Sequence, residues 1–477
     1  MKDNLFFTRF LKLLVIVIFS LSGCSRFHHH ESKEISSLEK IKEQGKIVAL
    51  FDFNSTNYFI YRGEPMGYQY EMLKLLADHL GVKLEVIVEN DISKYFEMLE
   101  NHQCDIIAVN LTITKERSKI IDFTIPHSQA RQVLVQRKPE NWNNLTEREF
   151  ESMLLRNQLD LAGKTVYVQK ESSYLSRLKN LSDEIGASID IKEMDDLEVE
   201  QLIQLVAKGE IDFTIADENV ALVNKTYYPN LDIQTAISFP QNQAWGLRKG
   251  DDSLRVTINK WLEEYKYSID YALLYAKYFR NKRSVGIVES DYYALTSGKI
   301  SIYDEYIKES SKIVEWDWRL LASLIYQESR FQPTVKSWAG AFGLMQLMPT
   351  TGHRYGVDQK SLPHENIRAG VRFIKWLDTR FQKKGINDEN DRIKFVLASY
   401  NVGLGHVLDA QRLAEKYGKD PKKWDGNVDE FILKKSNPKY FLDPVVKYGY
   451  CRGDETYNYV SQIIDRYEHY KNFISTD

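Results

Sequence analysis

The stretch WDWRLLASLIYQE, residues 316–328, decides how the C-terminal part of the chain folds. Its apolar residues recur at helical spacing, and Glu328 continues the stripe that carries Trp318 and Ile325. A carboxyl group on an apolar face loses solvation, so we expect the pKa of Glu328 to rise toward neutrality. Such a group is suited to general acid catalysis. The alternative is a half-exposed Glu at the helix end, paired with Arg330.

Three further segments follow this helix and decide between these interpretations. They are SWAGAFGLMQLMPTTGHRYG (337–356), ASYNVGLGHV (398–407) and YGYCRGDETYNYV (448–460). Glu-Ser, Gly-Leu-Met-Gln, Ala-x-Tyr-Asn and Glu-Thr-x-x-Tyr-Val therefore occur in that order. This order resembles the catalytic domain of soluble lytic transglycosylases, which has a goose-lysozyme-like fold, over residues 300–472. The spacer after the third motif is most similar to one subgroup, membrane-bound lytic transglycosylase F, which also carries a solute-binding-like domain.

The resemblance implies a reaction that needs a single enzymic carboxylate. Glu328 would protonate the oxygen of the β-1,4 bond between MurNAc and GlcNAc, and the substrate's own N-acetyl group would assist. The same carboxylate would then take the proton of the MurNAc C6 hydroxyl, which closes a 1,6-anhydro ring. Substrate-assisted glycosidases are known exceptions to the rule of two carboxylates. The expected substrate contacts are Ser329, Met345, Gln346, Tyr400, Asn401, Glu455 and Tyr459.

The family's pattern suggests roles for several of these contacts. Gln346 would bind an acetamido group, and Tyr400 and Asn401 would lie across the site. Tyr459 would lie near the attacking hydroxyl or the acetamido carbonyl. Glu455 stays open, because it can orient the substrate, form a salt bridge, or act as the second carboxylate of a hydrolase.

Residues 45–280 alternate between strand and helix patterns, which predicts a parallel-sheet α/β region. GKIVALFDF begins at Gly45 as a strand, and EMLKLLADHLG (71–81) is an amphipathic helix closed by glycine. A second strand–helix set runs from GKTVYVQK (163–170) to IDFTIAD (211–217). QAWGLRK (243–249) is predicted to be a strand that returns to the first set.

These elements resemble the periplasmic solute-binding proteins of family 3, which bind amino acids in a cleft between two lobes. The most specific part is CDIIAVNLTITKERSKIIDFTIPHSQARQVLV, residues 104–135. The resemblance implies that Arg117 forms a bidentate pair with a ligand carboxylate, with Thr112 adding a hydroxyl. It also implies that Asp217 pairs with the ligand's amino group. The alternative is a solvated surface arginine and a helix-capping aspartate.

One position departs from the family's pattern in the second lobe. Where the family has a Gly-Thr or Gly-Ser pair, this chain has Glu171-Ser172. Ser172 is still expected to bind ligand, whereas a carboxylate added at Glu171 would alter ligand choice or abolish simple amino-acid binding.

The N-terminus predicts export and a lipid anchor. Basic residues precede the apolar run LLVIVIFSLSG (13–23), which is typical of a secretory signal and too short to span a bilayer comfortably. The run ends at Cys24 in a sequence that resembles a bacterial lipobox, so Cys24 is expected to be lipidated. Ser25 resembles a signal for the outer membrane, although the leaflet stays open. The alternative is a plain membrane anchor with an incidental cysteine.

Composition narrows the classes of partner. The net charge of −3 favours neither nucleic acid nor an anionic membrane face. Cys104 and Cys451 lie in different predicted domains, so a disulfide framework is not expected. The triplet His28–His30 has no ligand partners at defined spacing, and we expect a solvated linker there rather than a metal site. No metal or cofactor is predicted.

The sequence therefore predicts a multidomain protein: an α/β two-lobed periplasmic-binding-protein-like domain followed by a mainly α lysozyme-like domain. We expect a lytic transglycosylase that acts on peptidoglycan glycan strands at the periplasmic face of the outer membrane. Muropeptide stem peptides or amino acids are the expected ligands of the first domain. A hydrolytic muramidase and an inactive sensing lipoprotein are the alternatives. The predicted segments are a signal peptide (1–23), a linker (24–44), a regulatory domain (45–280) and a catalytic domain (281–477).

Overall fold

The computed structural model describes residues 36–195, 197–279 and 298–474. The predicted signal peptide, Cys24, the histidine triplet and the predicted domain boundary at 280/281 lie outside these ranges. Among the helices that are described, none is long and apolar enough to cross a membrane. Cys104 and Cys451 are both buried, and neither forms a disulfide bond within the described residues.

The first lobe is a sheet with helices on its faces. Its strands are β1 (Lys46–Phe51), β2 (Phe59–Tyr61), β3 (Glu64–Met66), β4 (Lys83–Val88), β5 (Ile106–Thr112), β6 (Ile121–Phe123), β7 (Ser128–Ala130) and the late strand β13 (Gln241–Arg248). Its helices are α1 (Ser37–Gln44), α2 (Tyr68–Leu80), α3 (Ile92–Glu100), α4 (Arg117–Ile120), α9 (Asp252–Tyr265) and α10 (Ile269–Phe279).

The main sheet of this lobe has the order β4-β1-β5-β13-β6, with β7 paired to β13. Strands β4, β1 and β5 are parallel, as predicted. The returning strand is confirmed, because β13 pairs with β5 and β6. That pairing is antiparallel, so the sheet is mixed rather than purely parallel. A strand that enters from the second lobe reverses direction at the edge where the two lobes join.

The second lobe has its own sheet, of order β10-β9-β11-β8-β12. Strands β10 and β9 are parallel, whereas β8 is antiparallel to both β11 and β12. The strands are β8 (Gln132–Arg137), β9 (Thr165–Gln169), β10 (Asp190–Met194), β11 (Phe213–Asp217) and β12 (Leu231–Asp232). The helices are α5 (Glu147–Ser152), α6 (Ser173–Ile185), α7 (Val199–Lys208) and α8 (Glu218–Tyr227).

Helix α1 corrects the predicted linker, which ran to residue 44. Ser36 and Glu39 form a reciprocal capping box at the start of this helix, and Ile41 is buried in the core of the first lobe. The last eight residues of the predicted linker are therefore folded. The Ser-x-x-Glu pattern was the available sequence signal for this helix.

The C-terminal domain is helical, as predicted, and its core is formed by helix packing. Helix α12 carries the candidate acid and packs along the C-terminal helix α19. The helices are α11 (Asp304–Val314), α12 (Trp318–Ser329), α13 (Pro349–Arg354), α14 (Pro363–Lys383), α15 (Glu389–Val402), α16 (Leu404–Lys416), α17 (Asp429–Lys434), α18 (Pro438–Phe441) and α19 (Gly453–Phe473).

The hairpin formed by β2 and β3 of the first lobe packs against the catalytic domain. Ile60 is fully buried within the core cluster of the helical domain. The Tyr470 hydroxyl donates to the carbonyl of Gly63 at 2.6 Å, and the Tyr326 hydroxyl donates to Glu64 at 3.2 Å. Tyr326 belongs to α12 and lies two residues before Glu328. The hairpin therefore contacts the helix that carries the candidate acid.

Gly63 at the hairpin tip offers a test of this contact. Its φ is +79°, and a Cβ atom there would lie 2.6 Å from the Tyr470 hydroxyl oxygen. We expect Gly63→Ala to cost about 1–2 kcal/mol for the left-handed backbone and about 1–3 kcal/mol more for the crowding. Gly81→Ala is the matched control, because Gly81 has φ +71° and open space around it.

Limited proteolysis and small-angle scattering measure whether the two domains stay together. We expect domain separation for Gly63→Ala and not for Gly81→Ala. Equal behaviour of the two variants would show that the hairpin does not hold the domains together.

Candidate active site and ligand cleft

Glu328 lies in the last turn of α12, where the apolar stripe ends. It is partly buried, and the hydroxyl of Tyr459 on α19 donates a hydrogen bond to its Oε1. Burial raises the pKa of Glu328 to about 7, and the bond from Tyr459 acts against that rise. Glu328 forms no ion pair with Arg330 among the residues described. A carboxyl group with this pKa can both give and take a proton near neutral pH.

The loop that follows α12 is held in place by its own hydrogen bonds. The backbone N–H of Met345 donates to Asn366 Oδ1 at 2.8 Å. The Gln346 side-chain amide donates to the carbonyls of Val335 and Gly343, both at 2.9 Å. Gly343 has φ +76°, and a Cβ there would lie 2.4 Å from the Asn366 amide nitrogen. Only glycine therefore fits at this point of the Gly-Leu-Met-Gln motif.

Tyr400 connects α15 to this loop, because its hydroxyl donates to the carbonyl of Met345 at 2.6 Å. Its neighbour Asn401 is exposed and accepts a hydrogen bond from the Thr456 hydroxyl at 2.8 Å. The predicted motifs on α12, α15 and α19 thus meet around Glu328.

Two predicted contacts have other partners in the structure. Ser329 is buried, and its hydroxyl donates to the carbonyl of Ile325 one turn earlier at 3.2 Å. Glu455 is exposed and forms an ion pair with Arg452 at 2.8 Å. The salt-bridge alternative for Glu455 is therefore the one that the structure contains.

Asn366 and Thr456 support the site and were not predicted. Asn366 is a buried amide inside α14, and no feature of the sequence relates it to Met345, 21 residues earlier. Thr456 belongs to the quoted Glu-Thr-x-x-Tyr-Val motif. Its position one turn before Tyr459 on a helix was the signal that both side chains face the same groove.

A second site lies in the cleft between the lobes of the first domain. One cavity of about 100 Å³ is lined by all four predicted ligand residues: Thr112, Arg117, Ser172 and Asp217. Arg117 donates to the carbonyl of Thr112 at 3.2 Å, and Asp217 accepts a bond from Gln243 at 2.7 Å. Burial raises the pKa of Asp217 to about 7. The Ser172 hydroxyl donates to the carbonyl of Gln169 at 2.6 Å.

Carboxyl groups other than that of Asp217 line this cleft. Glu171 is exposed and is not one of them. The cavity is lined instead by Asp52 of the first lobe and Glu198 and Glu200 of the second. Burial raises the pKa of Glu198 to about 8 and that of Asp52 to about 6. Glu171 is not among the residues that line the cavity, and its expected effect on ligand choice stays a prediction.

The same glutamates join the two lobes directly. The backbone N–H of Ser55 donates to Glu200 at 3.1 Å, and the side chain of Asn90 donates to Glu198. Sequence reasoning missed both acids, because Glu198 and Glu200 resemble ordinary polar residues at the start of a helix. Within the described ranges, the cleft included, no group of three or more His, Cys, Asp and Glu side chains is arranged to hold a metal ion.

A helical domain in which Tyr459 donates a hydrogen bond to a carboxyl group of raised pKa, Glu328, joined to a two-lobed solute-binding domain, defines a modular lytic transglycosylase. The family model for bacterial extracellular solute-binding proteins, family 3, matches residues 47–281. The model for the transglycosylase SLT domain matches residues 305–423.

Relatives match over nearly the whole chain. The membrane-bound lytic murein transglycosylase F of Desulfosudis oleivorans is 34% identical, with 94% of each chain covered. That of Aliivibrio fischeri is 32% identical over 96% of this chain and 90% of its own. The chain belongs to the membrane-bound lytic murein transglycosylase F family. Among solved structures, an ancestral arginine-binding protein bound to arginine is 27% identical, covering 49% of this chain and 98% of its own, with a TM-score of 0.42.

The hydrogen bond from Tyr459 to Glu328 predicts how the pKa of Glu328 changes when that bond is removed. The phenol stabilises the ionised carboxylate, so Tyr459→Phe should raise the pKa of Glu328 further, by about one unit. Activity that requires protonated Glu328 should then persist to higher pH, although turnover itself falls. Carboxyl-carbon NMR titration measures the pKa directly. Tyr457→Phe, on the same helix, is the control and should leave it unchanged; a downward shift in Tyr459→Phe would contradict the assignment.

Proposed function

We propose that this protein is a peptidoglycan lytic transglycosylase that cleaves the β-1,4 bond between MurNAc and GlcNAc and leaves 1,6-anhydroMurNAc ends. The observation that carries the proposal is the position of Glu328. It is partly buried at a helix end, its pKa is raised to about 7, and Tyr459 donates to it. Membership of the family supports the same reaction.

The proposed reaction uses Glu328 twice. Protonated Glu328 gives its proton to the bridging oxygen, and the bond between that oxygen and MurNAc C1 breaks. The N-acetyl carbonyl of MurNAc stabilises C1 from the opposite face, which replaces a second enzymic carboxylate. The Glu328 carboxylate then takes the proton of the C6 hydroxyl while that oxygen bonds to C1. The proton count balances, and no water is consumed.

The surrounding residues position the sugars in this proposal. The side-chain oxygen of Gln346 and the amide of Asn401 would bind acetamido or hydroxyl groups. Tyr400 and Asn366 keep the Met345 backbone beside the acid. Burial raises the pKa of Tyr459 well above its ordinary value, so its phenol remains a donor. Glu455, exposed and paired, would act at most on substrate orientation.

Glu328→Gln tests the catalytic assignment. The amide has the same shape but can neither donate nor accept the required proton, so release of anhydromuropeptides from sacculi should fall by about 10²- to 10⁴-fold. The fold should be unchanged by circular dichroism. Glu309→Gln, an exposed residue of α11, is the matched control. Activity above a few per cent of wild type would show that Glu328 is the wrong residue.

Product masses separate this proposal from a hydrolytic muramidase on the same fold. A transglycosylase releases anhydro ends, whereas a hydrolase releases reducing ends heavier by one water. Reducing ends as the primary product would replace the proposal with the hydrolase. A hydrolase that used Glu455 as its second carboxylate would also lose activity in Glu455→Gln.

We further propose that a cell-wall-derived ligand in the first domain modulates catalysis. Arg117 would bind the ligand's carboxylate and Asp217 its amino group. Asp52 and Glu198 favour a ligand with a second cationic group, because both acids line the cavity and neither forms an ion pair with a basic residue in the described ranges. A diamino acid, free or at the end of a stem peptide, has this chemistry.

The chain path from the cleft to the active site supports this modulation. Asn57 lines the cavity, and the next residue, Tyr58, hydrogen-bonds His469 of α19 at 2.7 Å. The docked hairpin begins one residue later, at Phe59. A hinge motion of the lobes can therefore move the hairpin against α12 and α19. Coupling of about 1–3 kcal/mol, typical of allosteric systems, changes affinity by about five- to 150-fold.

Arg117→Ala tests the modulation. Stem peptides or diamino acids should alter wild-type turnover, whereas the variant should keep its basal rate and lose the response. Arg148→Ala, at an exposed arginine of the second lobe outside the cleft, is the control and should respond like wild type. If such ligands neither bind the first domain nor change turnover, the domain acts only as a spacer.

We also propose that acylation of Cys24 anchors the protein at the periplasmic face of the outer membrane. Family membership supports association with a membrane, and the lipobox supports the lipid. Cys24→Ala should abolish labelling by a fatty-acid analogue and leave the precursor unprocessed, whereas Ser25→Ala should still be labelled. Label on the Cys24→Ala protein would contradict the anchor, and cell fractionation measures the membrane.

A further inference from the structure

A basic groove lies on the catalytic domain between helices α14 and α16. Its volume is about 660 Å³, and the side of the groove formed by α14 presents basic residues at successive turns. The apolar side is formed by Leu404 and Leu408 of α16. The basic residues are Arg372, Lys375, Arg380, Lys383 and Lys384.

Most of this charge is not neutralised within the chain. Lys375 lies 3.6 Å from the carboxylate of Glu315. The other four basic side chains of the groove form no ion pair with any carboxylate in the part of the chain that the structure describes. A concave surface with several unneutralised cations attracts a ligand that carries more than one negative charge.

The groove also has an aromatic surface. The guanidinium of Arg380 lies 4.3 Å from the ring centroid of Trp376, and that of Arg354 lies 5.3 Å from it. Stacking on the ring limits the motion of both guanidinium groups and leaves their N–H groups available for bidentate bonds to carboxylates.

Aromatic contacts connect the groove to the active site. The rings of Trp376 and Phe373 are stacked, with their centroids 5.9 Å apart. The centroids of the Phe373 and Tyr400 rings are 5.4 Å apart. Tyr400 is the residue that holds the Met345 carbonyl. On the opposite side, α16 begins at Leu404, three residues after Asn401. The groove therefore lies next to residues that we expect to contact the glycan, Tyr400 and Asn401.

We propose that the groove binds the carboxylate groups of the stem peptides attached to the glycan strand that is being cleaved. This inference rests on the proposed transglycosylase function. Stem peptides carry several free carboxylates, whereas the sugars of the strand offer little charge for five cations to bind. A flat anionic membrane would not need a concave groove beside the catalytic wall. The groove thus selects strands that still carry peptides over bare glycan.

Kinetics of the double variant Arg380→Glu/Lys383→Glu test this selection. With intact sacculi we expect KM to rise about five- to twentyfold while kcat is unchanged, because the contacts are remote from the reacting bond. With strands stripped of peptides by an amidase, the variant should equal wild type. Arg148→Glu/Lys312→Glu reverses the same residue types at exposed positions outside the groove and should match wild type on both substrates.

An unchanged KM on intact sacculi, or an equal loss on both substrates, would overturn the proposal. So would a variant that only loses binding to vesicles containing phosphatidylglycerol, since the groove would then be a membrane contact.

Direct binding separates failure of this inference from failure of the proposed function. Calorimetric titration of Glu328→Gln with a free stem tetrapeptide should show binding that the added Arg380→Glu/Lys383→Glu pair abolishes. Arg117→Ala in the same background removes the contribution of the first domain. Peptide binding that depends on the groove, in an enzyme that releases no anhydro products, would overturn the reaction but support the groove. Absence of groove-dependent binding would overturn the groove even if the enzyme is active.

Discussion

The packing of α19 along α12 is the contact on which both functional regions depend. At its N-terminal end, α19 places Tyr459 against Glu328, and in its middle the carbonyl of Ile463 accepts a buried hydrogen bond from Ser323 at 2.7 Å. At its C-terminal end, Tyr470 binds the hairpin of the first lobe. One helix therefore desolvates the acid and also joins the domains. A shift of α19 along α12 would change the proton affinity of Glu328 and the domain contact together.

The features that could be predicted from the sequence are those formed by residues close together in the chain. The helical stripe that ends at Glu328 and the order of the four motifs are local patterns, and the motif residues do meet around Glu328. The returning strand 243–249 was also predicted, because a buried strand leaves a clear local pattern. Its antiparallel direction was not, since direction depends on where the chain crosses between lobes.

Long-range contacts explain what the sequence did not reveal. Glu198 and Glu200 have the appearance of a solvated helix start, and only closure of the lobes buries them. The pairing of Asn366 with Met345 and the docking of the β2–β3 hairpin likewise need two distant segments to be placed together. The basic residues of α14 were not singled out from the sequence, because charges on a helix are usually solvated and the ring contacts between Trp376, Phe373 and Tyr400 join distant segments.

Burial of carboxylates in the cleft couples lobe closure to pH and to ligand charge. A carboxyl group whose pKa is raised in the closed state favours closure where it is protonated, below its ordinary pKa. That contribution is lost as the pH rises toward the closed-state values, about 6 for Asp52 and about 8 for Glu198. Near neutral pH the empty closed cleft therefore carries an electrostatic penalty, and a cationic ligand group removes it. Under the two proposals, the groove at α14 binds the carboxylates of stem peptides, and a cationic group of the ligand favours closure of the first domain.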